Sequence, residues 1–293
     1  MRLRGVAILT VLVVTACAGA TDGGVAGPAQ SGSGYVPLQV DPGVLDDWRD
    51  FAVDQVPRPI VLLGEVARVE GFTTGEAKEA AGQSRFEFTG PLPAGPATAT
   101  VTLPDGPADL PLIDAATALA ALRTPAEPVP PSMVVPPLRI TEVVAGTAEF
   151  ATDRGPLTLP AWLFHVVDGL GPIAWPAVRP DEFWKLGQLG YPVVSGSAPG
   201  GGPALTVVMG AAPTDHCPGE PIVEYKAVAV ESATAVVVGL ESRLVGTAPG
   251  RPDPTCAHDL VYRTTSYQVT LAAPVDRRVV LDTEGNPVPI VIT

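Results

Sequence analysis

The sequence predicts a predominantly β fold, a β-rich α+β arrangement of short antiparallel strands with a few short helices. Three observations predict it. The chain carries 31 Gly and 34 Pro, which interrupt it too often for long helices. Its apolar stretches are short and end in turn residues, as strands do. Only one segment after residue 34, at 113–123, has a complete set of helix signals. With 46% hydrophobic residues, the chain has material for a real core.

The first 16 residues have the parts of an export signal. Arg2 and Arg4 form a basic start, and residues 6–14 form an apolar run broken only by Thr10. The run is shorter than the roughly 20 residues that a membrane helix needs. It ends in Val14-Thr15-Ala16-Cys17. This resembles the lipobox of bacterial lipoproteins: an aliphatic residue, two small residues, then cysteine. Val stands where Leu is commoner. The resemblance covers the first 17 residues alone. It implies a diacylglyceryl thioether on Cys17 and cleavage before it, so that Cys17 becomes the first residue. Two acyl chains suffice for stable attachment to a membrane, where one does not. Residues 17–34 are small and polar, and are expected to form a flexible tether with an end-to-end distance of roughly 20–25 Å.

The elements follow in order. Leu45, Trp48 and Phe51 are three apart and predict a short docking helix over 44–51. Residues 59–70 predict a strand that alternates from Glu65 onward, and 85–88 and 97–103 predict two more. Asp114 is the expected N-cap of the helix that Pro125 ends. Six prolines between 124 and 137 predict an extended connection. Residues 138–150 resume β character. Residues 155–167 are the most apolar after the signal, and predict a strand interrupted at Pro160 and buried on both faces. Residues 180–186 predict one or two helical turns, and 195–203 a Gly-rich loop. Strands are then expected at 204–209, 222–230, 233–240, 260–272, 279–281 and 289–293. The turn at 282–286 should join the last two into a hairpin. The division expected is a mixed β domain with one helix over 35–178 and a β-rich domain over 179–293.

Charge narrows the partners. The net charge of −13 leaves no basic footprint for nucleic acid, and no polybasic grip on anionic lipid. Cys217 and Cys256 remain after lipidation of Cys17, and in an exported chain they are expected to form one disulfide. The competing arrangement is a metal site of Cys217, Cys256, His216 and His258, but adjacent His216 and Cys217 are unlike a usual ligand spacing. The sequence predicts no metal and no cofactor.

No catalytic set is predicted either. The loop from Ser195 to Gly202 lacks the Lys and following Ser or Thr of a phosphate loop. Asp46 with Asp47, and Asp181 with Glu182, are neighbours in sequence and need not face one site. His165 sits in an apolar strand, where a core role is the commoner one. Trp162, Trp175 and Trp184 could line an aromatic groove, although aromatics on such strands are more often core. The expectation is a membrane-anchored extracytoplasmic lipoprotein, a non-catalytic binding or structural module whose partners are the membrane and envelope proteins or glycan. A cell-envelope hydrolase and a solute-receptor lipoprotein are the competing classes.

Overall fold

A computed structural model describes residues 35–125, 128–192, 194–252, 254–258 and 261–293. The expected export signal, Cys17 and the tether lie outside them. Residues Gly34–Thr293 form one compact unit. Strands dominate it, as expected, with three short α-helices among the described residues.

The N-terminal half is built around a four-stranded sheet. Strands β1 (Phe86–Glu87), β4 (Leu138–Thr152), β5 (Gly155–Val166) and β6 (Ile173–Pro176) lie in the order β1-β4-β5-β6. Strands β4 and β5 form a long antiparallel hairpin closed by the pair Thr152 and Gly155. Strand β5 runs straight through Pro160 rather than breaking there. Pairing with β6 starts only at Ala161, so the missing N–H of Pro160 leaves no ladder bond unmade. The Pro160 carbonyl accepts from Ala177 N–H at 2.8 Å.

Alternation along β5 sends side chains to two cores. Trp162 and Phe164, with Val143 and Ile173, meet α2 (Gly75–Gly82) and α3 (Ala115–Leu122) on one face. Leu159 and Ala161, with Phe150 and Ala174, meet the hairpin of β2 (Thr98–Leu103) and β3 (Gly106–Pro111) on the other. Asp114 caps α3 as expected, accepting Thr117 N–H at 2.7 Å. Helix α2 was not expected from the sequence. Thr74 caps it through a 3.2 Å bond from Ala77 N–H, and Ala77 and Ala80 supply its buried face.

The C-terminal half is a pair of facing sheets. One has the order β12-β10-β9, from β9 (Pro221–Glu231), β10 (Ala235–Thr247) and β12 (Val279–Leu281). The other has the order β11-β8-β7-β13, from β7 (Ser195–Ala198), β8 (Ala204–Gly210), β11 (Thr264–Thr270) and β13 (Ile290–Ile292). Val236, Val238 and Val280 of the first pack with Leu205, Val207, Val269 and Ile290 of the second.

Three expectations are corrected here. Residues 195–198 are strand, not loop. Gly196 is needed there because a Cβ would stand 2.5 Å from the Thr206 carbonyl oxygen. The last two strands do not form a hairpin. They share one bridge, Leu281 to Pro287, after which β12 pairs in parallel with β10 and β13 in parallel with β7. Prolines at 287 and 289 deprive the second arm of two donors. The expected helix over 44–51 is α1 (Pro42–Asp46) followed by turns, with Trp48 and Phe51 buried beyond its end.

The strand expected over 59–70 is corrected too, and the correction explains why the chain is one unit. The segment makes isolated bridges only, from Ile60 to Phe183, Leu62 to Thr152 and Arg68 to Ala174. Gly64, at φ +73°, turns it away from any longer ladder. Its first residues nonetheless send alternate side chains to two cores. Ile60 and Leu62 enter the core shared with β5 and the β2–β3 hairpin. Val61 and Leu63 enter a second core with Ala235, Val237, Val279 and Leu281 of the C-terminal half. Each buried aliphatic side chain contributes roughly 1.5–3 kcal/mol. The sheets therefore separate between β6 and β7, on either side of Val178, but the packing crosses that boundary.

Candidate functional site

Charged groups gather where the halves meet. Asp153, in the β4–β5 turn, is buried, as is Arg58. The Arg58 guanidinium donates to the Asp153 carboxylate, with Nη2 2.6 Å from Oδ2, and its Nε donates to the Arg277 carbonyl at 2.8 Å. Its face lies 4.5 Å from the centroid of the Phe51 ring. Asp105 sits between Arg154 at 2.7 Å and Arg277 at 2.8 Å. Burial raises the Asp105 pKa, but the Arg154 hydrogen bond and charge, together with the Arg277 charge, hold it below its ordinary value. Every charge here has a partner and no cavity of useful size adjoins it, so this network holds structure together.

Of the concavities elsewhere on the molecule, two have linings that bear on function. The larger, about 580 Å³, lies between β2 and the β4–β5 hairpin. Its floor is apolar and small, with Ala99, Gly146, Pro160 and Ala161 among the lining. Thr100, Thr102, Thr147 and Thr158 are among its lining, the Thr100 hydroxyl donating to the Asp109 carboxylate at 2.5 Å, and no charged side chain lines it. Trp162 forms part of the wall but is buried, and its Nε1 donates to the Ile113 carbonyl at 2.9 Å. The three candidate tryptophans do not make one groove. Trp162 and Trp175 are cross-strand partners, whereas Trp184 packs with Trp48 and Phe51 at centroid distances of 6.1 and 5.3 Å.

The second concavity, about 430 Å³, lies beside the disulfide. Cys217 and Cys256 are bonded, with Cα atoms 5.9 Å apart. The bond lies at the end of the β9–β10 ribbon, away from the middle of the sheet. Cys217-Pro218-Gly219-Glu220 is a tight turn closed by Glu220 N–H donating to the Cys217 carbonyl at 3.0 Å. Pro second and Gly third, the latter at φ +87°, suit a type II turn. A Cβ on Gly219 would lie 2.8 Å from the Pro252 ring, so the two loops need that glycine to approach.

The turn folds Glu220 back over Cys217. Its carboxylate accepts Cys217 N–H at 2.9 Å and meets His258 Nε2 at 2.9 Å. The His258 hydrogen bond, then the Cys217 N–H, keep the Glu220 carboxyl below its ordinary pKa. Asp215, His216, Tyr262 and Arg263 complete the walls. Of the two histidines beside the cysteines, His258 is drawn to Glu220, while His216 stands on the wall. Glu220 was missed in the sequence. Its signal was the Pro-Gly turn that returns the fourth residue to the first.

The other candidates stay apart. Asp46 pairs with Arg49, and Asp181 with Arg179, both at the surface. His165 is half-buried opposite Glu142 on β4. In comparisons with known proteins, no family model, no curated protein and no solved structure matches this chain.

Proposed function

We propose that the chain is a lipid-anchored extracytoplasmic module of the cell envelope, held by a diacylglyceryl group on Cys17, whose β body binds rather than catalyses. One observation carries the address: Val14-Thr15-Ala16-Cys17 follows a basic start and a short apolar run. Among the described residues no helix is long and apolar enough to cross a membrane, so the lipid supplies the attachment in this reading. The uncharged groove between β2 and the β4–β5 hairpin supports a binding role. Its threonine hydroxyls and apolar floor suit a neutral partner, a glycan or a stretch of peptide backbone from an envelope protein. The acidic body is repelled from anionic headgroups, which keeps that groove available above the membrane.

Crosslinking in intact cells, followed by capture of the full-length protein, tests the reading. Bulky Ala99→Trp should fill the groove and abolish crosslinks to a specific envelope component. A chain that captures nothing but degrades a cell-wall substrate would refute the module in favour of a hydrolase.

A further inference from the structure

The corner beside Cys217–Cys256 holds more ligand chemistry than a structural disulfide requires. Cys217 Sγ, a carboxylate oxygen of Glu220 and a ring nitrogen of His258 all lie within 4.8 Å of one another. Cys256 Sγ stands outside that set but is bonded to Cys217 Sγ, so it is the nearest further donor. While the bond is intact neither sulfur is a thiolate, and a disulfide is no zinc ligand. We propose that reducing Cys217–Cys256 converts this corner into a zinc site, with Cys217, Cys256, His258 and Glu220 as its four ligands. The inference does not depend on the membrane-module reading.

The chemistry balances. A dithiol reductant passes two electrons and two protons to the disulfide and itself becomes a disulfide, leaving two protein thiols. Zinc then displaces the two thiol protons. Two thiolates, an imidazole and a carboxylate make a tetrahedral set of the kind zinc takes.

The geometry is close to what the ion needs. Tetrahedral coordination with Zn–S near 2.3 Å sets the two sulfurs about 3.8 Å apart. With the Cα atoms 5.9 Å apart, rotation of the two cysteine side chains can open that gap. The remaining ligands are already in place. The Pro218-Gly219 turn holds the Glu220 carboxylate against Cys217 N–H, and His258 is drawn to the same carboxylate. Cys217 is buried while Cys256 and His258 are exposed, so a reductant and an ion can both arrive from solvent on the Cys256 side. Histidine, carboxylate and cysteine are brought together here from two loops. One runs from Cys217 to Glu220 and the other contains Cys256 and His258, which suits a site that closes around its ion.

The test uses the full-length protein and zinc ion alone as ligand. The protein is reduced with a phosphine under anaerobic conditions and freed of it. Zinc is then titrated against a chromophoric chelator, with circular dichroism recorded at each step and cobalt(II) used as a spectroscopic stand-in. The reduced chain should bind one ion at least about 100-fold more tightly than the oxidised chain. Cobalt should show thiolate-to-metal charge transfer and tetrahedral bands. His258→Asn and Glu220→Gln should each weaken the site about tenfold or more, yet leave the oxidised protein folded with its disulfide intact. Equal zinc affinity in the oxidised and reduced chains would overturn the proposal. So would wild-type affinity in both variants, and so would a reduced chain that unfolds and is not refolded by zinc.

Discussion

In the N-terminal half, a single sheet is covered on one face by two helices and on the other by the β2–β3 hairpin and residues Ile60 and Leu62. In the C-terminal half, two sheets cover each other, and a disulfide ties the loops at the end of one ribbon. The first half brings large aromatics into its core, Phe86, Trp162 and Phe164 among them. The second fills the core between its two sheets mainly with Val, Leu and Ile, and that core holds no tryptophan. Neither half closes alone. The outer face of β10 and β12 is covered by Trp48, Phe51, Val61 and Leu63, which come from before the first sheet.

That dependence can be broken, and the largest effect should come from the buried ion pair. Asp153→Ala leaves the Arg58 charge buried without its carboxylate, and should cost about 3–5 kcal/mol. Because Arg58 also donates to the Arg277 carbonyl and the Asp153 carbonyl accepts from Ile290 N–H, loss of the pair loosens contacts to the C-terminal half, and both halves should fail together. All four tryptophans lie before residue 185, so their fluorescence reports the first half and the seam, while circular dichroism reports both halves. Coincident denaturant transitions are expected in wild type and variant. Separate transitions would show two independent domains dividing near Val178.

The disulfide should act on a smaller scale. It closes a sequence separation of 39 residues, so Cys217→Ser/Cys256→Ser should lower stability by roughly 2–4 kcal/mol without changing the β-type spectrum. An unchanged melting temperature would contradict this. The contrast with Asp153 is informative. Loss of the cross-link acts mainly on the unfolded chain, whereas loss of the carboxylate acts on the folded seam.

Acid should sharpen the comparison with the smallest effect. Asp105 has a folded pKa below the unfolded value of about 3.9. As pH falls, the unfolded chain takes up the proton first. The stability contributed by Asp105 is thus complete above pH 4 or so, and is lost as pH falls through the lowered folded value. Asp105→Asn should flatten this acid limb. If the limb is unchanged, the Arg154–Asp105–Arg277 bridge contributes nothing to the seam.

The sequence made much of this legible, in proportion to how local the signal was. The α3 cap at Asp114, the strands that became β2, β4, β8, β9 and β12, and the Cys217–Cys256 bond could all be read from neighbouring residues. Helix α2 was hidden because glycines at 75 and 82 bracket a weakly apolar run. Residues 60–63 read as an unbroken apolar run, which does not show that alternate side chains serve two cores. That depends on contacts with residues such as Leu159 and Val237, far along the chain. The departure of β13 to β7 is likewise a pairing choice made across nearly a hundred residues. At the candidate site, the cysteines and His258 stood out by type, while Glu220 is one acid among many until a turn places it.

The central claim is that this β body is held at a membrane through Cys17, and one measurement tests it most directly. The full-length protein is recovered from membranes, and the mass of its mature N-terminal peptide is determined beside that of Cys17→Ser. The account predicts a wild-type N-terminus at Cys17 carrying a diacylglyceryl group, and a Cys17→Ser protein that is unlipidated and released from membranes in high salt. A wild-type N-terminus without lipid, or a Cys17→Ser protein that stays fully with the membranes, would contradict it.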